Sequence, residues 1–376
     1  MQSSKVYFTN MRTSDGDSAL DKLHRLISRA GMASMPLKER FTAIKIHFGE
    51  PGNLSFLRPN YAKVVVDFIK EQGGKPFLTD CNTLYTGARK DALEHLESAQ
   101  LNGYSPLTVG CQILIADGLR GLDEAYVPIS GQNIKHVQNA KIGRAIMDAD
   151  NILSLNHFKG HENTGFGGAL KNLGMGCGSR AGKMEQHSEG KPEVDPELCR
   201  GCRQCAKQCA HSAISFGKDR KAYIEHKLCV GCGRCIGACN FDAIQAENSS
   251  SNRILCEKMA EYALAVVQGR PNFHINIVTQ VSPFCDCHGH SDLPIIPDVG
   301  MFASFDPVAL DAACADACNR QPVIPGSYLD EQLHSQPECS HDHFTDAFPT
   351  TCWRDTLRHA QDIGIGSMQY ELITVE

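Results

Sequence analysis

Apolar and polar positions along this chain follow two periods, and the pattern switches repeatedly between them. Short runs dense in β-branched and aromatic residues predict strands over residues 5–9, 41–48, 75–79, 112–116, 151–156, 273–279, 299–303 and 370–375. Between them, apolar residues recur at helical spacing and predict helices over residues 20–30, 61–72, 89–102, 253–269 and 353–363. Asp306 followed by Pro307 is a cap and first-turn pair for one more helix, reaching about Cys318. Alternation of this kind predicts an α/β fold with a mostly parallel sheet flanked by helices. On the helix after Asp306, Cys314 and Cys318 read as small buried hydrophobes, and Asp311 is as compatible with solvent as with a pocket. Residues 325–349, with ECSHDH at Glu338–His343, show no period and are expected to form a surface loop.

The alternation breaks off at residues 192–247, where a different pattern takes over. CRGCRQCAKQC supplies Cys199, Cys202, Cys205 and Cys209, and thirty residues later CVGCGRCIGAC supplies Cys229, Cys232, Cys235 and Cys239. Leu198, Gly201 and the pair Ala213-Ile214 recur at the same offset as Leu228, Gly231 and Ala243-Ile244, which marks a duplicated half-module. This spacing wraps three thiolates around one corner of an iron–sulfur cube while the fourth crosses to the other cube. Crossed ligation assigns Cys199, Cys202, Cys205 and Cys239 to one [4Fe–4S] cluster and Cys229, Cys232, Cys235 and Cys209 to a second. Zinc held by CxxC pairs would need two separated pairs per ion, not two runs of four. The expected organisation is an α/β domain in two parts, residues 1–191 and 248–376, interrupted by a small α+β two-cluster module at 192–247.

Composition narrows the picture further. The 376 residues are 42% hydrophobic, enough for a large core, and the net charge of −6 without a basic stripe argues against nucleic acid as a partner. No run reaches the length of a membrane span and no signal peptide opens the chain, so neither a membrane nor secretion is expected. Eighteen cysteines would mean disulfides in a secreted protein, but thiolate–iron chemistry calls for a reducing, cytoplasmic setting.

Outside the clusters, residues 156–187 pack His157, Lys159, His161 and Lys171 among seven glycines just after an expected strand. Glycine this dense suggests backbone that bends or approaches a ligand, and amides with two lysines would suit an anionic substrate or cofactor. A glycine-rich linker is the bland alternative. Lys45, His47 and Asp80, with Asn82, stand at two more strand ends, where open α/β sheets bind ligands. A second group, PFCDCHGHSD, brings Cys285, Cys287, His288, His290 and Asp292 together as candidate ligands for a further transition metal, although the spacing matches no standard structural zinc site.

The residues 192–247 resemble a bacterial-type two-cluster ferredoxin, except that Ala210 and Asn240 stand where a proline usually follows the fourth cysteine. Over nearly the whole chain, KIHFGEPGN, NHFKGHENTGFGGALKNLGMGCGSRAGK, CDCHGHSD and FDPVALDAA resemble domain-of-unknown-function family 362, whose members often carry an internal ferredoxin domain. That resemblance implies an α/β iron–sulfur protein with no assigned reaction. HENTGFGGALK, from His161 to Lys171, is similar to a segment of the nickel-pincer lactate racemases, although Gly167 replaces its serine. By position it implies an acid/base role for His161 and a cofactor anchor at Lys171.

The expected function is an iron–sulfur oxidoreductase or electron-transfer protein. Its clusters would pass electrons between a redox partner protein and a small anionic substrate in the α/β domain. The alternatives are a non-catalytic carrier docked on a larger redox enzyme and a racemase-like enzyme that uses its clusters structurally.

Overall fold

The computed structural model describes residues 3–84, 87–187, 191–229, 231, 233–241, 243–246, 252–335 and 339–376. Eight strands form one sheet: β1 (Ser4–Asn10), β2 (Phe41–Lys45), β3 (Lys75–Asp80), β4 (Ile113–Ile115), β5 (Asn151–His157), β6 (Asn272–Val278), β7 (Gly300–Ser304) and β8 (Tyr370–Thr374). Their order is β8-β1-β7-β6-β5-β2-β3-β4. Only β7 runs antiparallel to its neighbours, so the sheet is mostly parallel as the alternation predicts. Strands from both sides of the cysteine-rich segment pair in it: β5 precedes the segment, β6 follows it, and the two are adjacent.

Helices cover both faces. On one lie α1 (Ala19–Arg29), α2 (Pro59–Glu71) and α3 (Ala92–Leu101), whose Leu23, Leu26, Val65, Ile69 and Ala99 pack on Ile44, Leu153 and Ile275. The other carries α4 (Ala169–Cys177), α5 (Arg180–His187), α6 (Asn252–Val267), α7 (Pro307–Asn319) and α8 (Trp353–Asp362). There Leu170, Leu173, Ala263, Leu310 and Leu357 meet Ala43, Ile152 and Phe302. Side chains of a strand alternate between faces, so consecutive residues such as Ile152 and Leu153 serve opposite layers, each worth about 1.5–3 kcal/mol when fully buried.

Most helix ends are set locally. Ser18 and Asp21 form a reciprocal capping box on α1, Asp91 caps α3, and Asp306 accepts the Val308 and Ala309 N–H groups on α7 behind Pro307. α4 is different: its N-cap is Gly168, and its first N–H groups, from Ala169 and Leu170, donate to the Asp311 carboxylate on α7 at 2.8 and 2.9 Å. Asp311 is wholly buried, which resolves its two readings in favour of the interior.

Two expectations need correction. Residues 325–349 are not a bare surface loop: helices at Tyr328–Ser335 and His343–Ala347 lie there, and Leu329 and Phe344 are in the core. Their apolar positions are too few and too short-ranged to show a period. The glycine-rich stretch is mostly helix, because α4 and α5 fill its second half. Its glycines serve close packing: a Cβ at Gly174 would sit 2.1 Å from the Met259 carbonyl of α6, so these two helices touch backbone to backbone.

Candidate active site

β2, β3, β5 and β6 run parallel and end at the same edge of the sheet. Their last residues and the loops beyond them enclose a cavity of about 310 Å³, walled by His47, Asp80, Arg89, His161, Lys171 and Cys285 among others. Lys159 and His161 lie on one arm of a tight hairpin, Lys159–His161 against Gly165–Gly167, that leaves β5. Phe158 and Phe166 fix this hairpin from below, with ring centroids 4.7 Å apart, and Phe166 also packs on Phe344 and Trp353. The aromatic residues of the 339–363 region therefore hold a wall of the cavity.

A buried polar chain supports the floor. Lys45, fully buried, reaches Asp80 Oδ1 at 2.9 Å and donates to Asn172 Oδ1 at 2.5 Å. Asn172 Nδ2 donates to Asn156 Oδ1, Asn156 Nδ2 to Asn276 Oδ1, and Asn276 Nδ2 to Asp311 Oδ1, at 2.7, 2.8 and 2.8 Å. Each amide uses both its ends, so α4 is bolted to three strands by groups that would be costly if left unpaired. Lys45 thus supports the cavity from beneath and does not line it.

Opposite charges meet throughout the walls. His157 lies with Nδ1 2.9 Å from Asp286 Oδ2 and Nε2 2.9 Å from the Thr279 carbonyl; both partners are acceptors, so the ring is fully paired only when both nitrogens carry hydrogen. Lys159 Nζ is 3.4 Å from the same Asp286 carboxylate. Burial would raise Asp286, but His157 and Lys159 outweigh it and hold the carboxyl well below its ordinary range. Asp80 is likewise held down against burial by Lys45 and His95. At His47 both nitrogens face donors, the Gly49 N–H at 3.0 Å and Arg89 Nη1 at 2.9 Å, and burial together with the Arg89 charge pushes it well below the usual imidazole value. Arg89 is completed by Glu50 at 2.7 Å. Lys183, on α5, donates to the Gly176 and Gly178 carbonyls at 3.5 and 2.6 Å and makes no ion pair among the described residues.

The thiols are the most polarised groups. Cys285 Sγ accepts from Lys171 Nζ at 3.3 Å. His161 Nδ1 accepts the Asn163 and Thr164 N–H groups at 3.1 and 3.3 Å, which leaves its proton on Nε2, hydrogen-bonded to the Cys285 sulfur. The Cys287 thiol bonds the same sulfur; that bond and the charge of Lys171 overcome burial and draw Cys285 well below the ordinary thiol value, while Cys287 is pushed up.

The cavity therefore gathers His47, Asp80, His157, Lys159, His161, Lys171, Cys285 and Cys287. His288 turns away to Glu162 at 2.8 Å, where His161 and His288 outweigh burial and hold that carboxyl at about 2. His290 is exposed and packs on Phe284, and Asp292 Oδ1 accepts the Leu293 N–H, so these members of the CDCHGHSD group do not converge with the two cysteines. Among the described residues no three His, Cys, Asp or Glu side chains are set to hold a single metal ion. In ECSHDH, Glu338 lies outside the described residues, Cys339 donates to Asp346 and His343 faces the Gln321 carbonyl. The sequence reasoning missed Arg89, Glu50, Asp286 and Lys183. Charged residues just after strand ends were the available signal for the first two.

The cysteine-rich segment has two short hairpin-like pairs, Ile214–Phe216 with Ala222–Ile224 and Pro192–Val194 with Ile244–Ala246, and a small core. Cys199, Cys202, Cys205 and Cys239 line one small cavity; Cys209, Cys229 and Cys235 line another. Cys232 lies outside the described residues. Backbone N–H groups of Ala213 and Ala243 donate to Cys209 and Cys239 at 3.3 Å each, a symmetry that follows the thirty-residue repeat. Gly201, Gly231 and Gly233 all take positive φ, which the tight loops require. Leu84 and Met184 from the large domain join this small core, and Gly233 packs on Arg180 and Met184 of α5. Leu84 and Gln245 also line the large cavity, so the two regions share a wall.

A cavity of ligand size at the carboxyl edge of a mostly parallel sheet defines the class: an open α/β protein with its site where the strands end. The chain belongs to the family described as Domain of unknown function (DUF362), which matches residues 42–316. No curated protein matches it. Among solved structures it is similar to the lactate racemase apoprotein from Thermoanaerobacterium thermosaccharolyticum, at 11% identity and TM-score 0.38, covering 73% of this chain and 51% of that one. It is also similar to a protein from Thermotoga maritima, at 13% identity and TM-score 0.39, covering 82% and 59%. The chain thus spans about half to three fifths of these proteins. No helix among the described residues is long and apolar enough to cross a membrane.

Proposed function

We propose that the protein is a cytoplasmic iron–sulfur oxidoreductase in which two [4Fe–4S] clusters carry single electrons from a redox partner protein to a small anionic substrate in the cavity. The observation that carries this reading is the sorting of the cysteines. Seven of the eight divide between two small cavities along the lines of crossed ligation, with Cys239 among the first three cysteines and Cys209 among the second group. The sulfurs around a cubane bind four different irons, so they stand too far apart to chelate one ion, and the lack of a single-ion site is no objection to them. Where the clusters fit, they would supply one-electron chemistry, and the surrounding N–H groups on sulfur would favour the reduced state.

The chain's own residues do the rest. Lys183, which makes no ion pair within 4 Å among the described residues, supports the anionic class of substrate, and His161 presents its Nε2–H to the cavity as a proton donor. Two regions sharing a wall give electrons a short way across. The test is anaerobic purification with iron and acid-labile sulfide determined per chain, and electron paramagnetic resonance after reduction. About eight of each per chain are expected for two cubanes; stoichiometric zinc, or iron far short of that figure, would overturn the proposal. Turnover of any retained small molecule should disappear in His161→Ala with the visible absorption of the clusters intact.

A further inference from the structure

We infer that Cys285 and Cys287 form a redox-active dithiol/disulfide pair at the end of the electron path, acting on a small anionic disulfide. The argument begins with the sulfur of Cys285, which is buried, accepts from Lys171 Nζ at 3.3 Å and has two further donors, the His161 imidazole and the Cys287 thiol, acting on it inside the same cavity. Three donors on one sulfur are what a thiolate needs and a thiol cannot use. The helix that carries Lys171 is pinned by Asp311 and the asparagine chain, so the donor set is held rigid. Cys287 is two residues away along the chain, its thiol beside the Cys285 sulfur, and lines the same cavity, so it is positioned to close a disulfide. Neither cysteine is in a disulfide here, and every other role proposed for the site leaves this pair unused.

The chemistry balances without a further reagent class. The Cys285 thiolate attacks one sulfur of the substrate disulfide, forming a mixed disulfide and releasing the first substrate thiolate. Cys287 then gives up its proton to that thiolate by way of His161 and attacks Cys285 Sγ, releasing the second substrate thiolate and leaving the Cys285–Cys287 bond. Two electrons and one proton restore the thiolate and the thiol. This last step rests on the cluster reading, because two one-electron centres, charged by a low-potential carrier protein, hold the pair of electrons required. While the pair is oxidised, Lys171 loses the thiolate it faces and can turn its charge to an anion in the cavity.

The experiment equilibrates anaerobic protein with dihydrolipoate/lipoate mixtures, quenches it in acid, alkylates it and weighs the peptide containing both cysteines. The expected result is joint loss of both alkyl groups toward the oxidised end, with the peptide lighter by two hydrogens than the dithiol. Both cysteines still alkylated in excess lipoate would overturn the inference. Cys287→Ser, offered glutathione disulfide as an acyclic anionic disulfide, should keep one glutathione on Cys285 as an unresolved mixed disulfide with cluster absorption unchanged; a free Cys285 in that variant also counts against the pair. Alkylation of Cys285 in the reduced protein should barely slow between pH 8 and pH 6, where an ordinary thiol slows about a hundredfold; the ordinary slowing would sink it. Iron measured on the same samples separates the two proposals. Full iron without a disulfide removes the pair alone, and a disulfide without iron removes the clusters alone.

Discussion

The cavity and the cysteine-rich segment hold their chemical groups by opposite means. Cavity residues come from strand ends and the loops beyond them up to 240 residues apart, His47 to Cys287, and are fixed by mutual ion pairs and amide hydrogen bonds inside a large core. The cysteines sit within forty-one residues, Cys199 to Cys239, on short loops over a core that borrows Leu84 and Met184 from its neighbour. One region is stable because of the sheet around it. The other has a small core, and on the proposed reading it depends on the clusters its thiolates would hold.

The sharpest way to break this contrast is to strip the proposed clusters of their iron anaerobically with a chelator. Residues 192–246 should become fully open to protease and hydrogen exchange, while β2, β5 and β6 keep their protection; a segment that stays protected without iron would show that the small core suffices. Next in size is Asp286→Ala, which leaves His157 and Lys159 without their shared carboxylate. A loss of about 3–5 kcal/mol in urea unfolding is expected, with the clusters' spectrum unchanged; a loss below about 1 kcal/mol would mean the cations find other partners. Gly174→Ala then probes packing alone. Its Cβ meets the Met259 carbonyl, so α4 must move off α6 at a cost of about 1–3 kcal/mol, read in the same unfolding curves.

The smallest effect separates charge from acid. Asp80 and Asp286 are held below the ordinary value of 3.8, so their contribution is complete above that value and is lost only as pH falls toward their lower folded values. Lowering pH from 7 to 5 should therefore leave the protection of β2 and β5 unchanged, and loss should begin below about pH 4. Opening of these strands already at pH 5 would contradict the assigned pairing.

The contrast also explains what could be read in advance. All eight strands of the sheet and six of its helices are legible, because the strands and five of the helices show their apolar pattern and the sixth helix is announced by its cap, Asp306 before Pro307. The cysteine spacing is local too, and a four-residue run says the same thing wherever it occurs. The cavity is only half legible. His157, Lys159 and His161 share one stretch of sequence, but Asp286, which neutralises two of them, is hidden between two more conspicuous cysteines. Arg89 acquires meaning only when β3 brings it beside Glu50 and His47. α4 escapes notice because its cap, Asp311, lies 142 residues from Ala169. A helix whose cap is distant and whose turns are glycine looks like a loop until the partner helix is known.

The position of β1 has a consequence for synthesis of the protein on the ribosome. Its partners are β7 and β8, which follow the other strands of the sheet in chain order, so β1 waits unpaired while the intervening strands are made. The inner strands β2, β3 and β5 can assemble during that wait, but the seam beside β6 cannot close until the cysteine-rich segment has been threaded out. Nascent chains of this protein should accordingly engage chaperones through β1, and be released from them only once β7 and β8 have emerged.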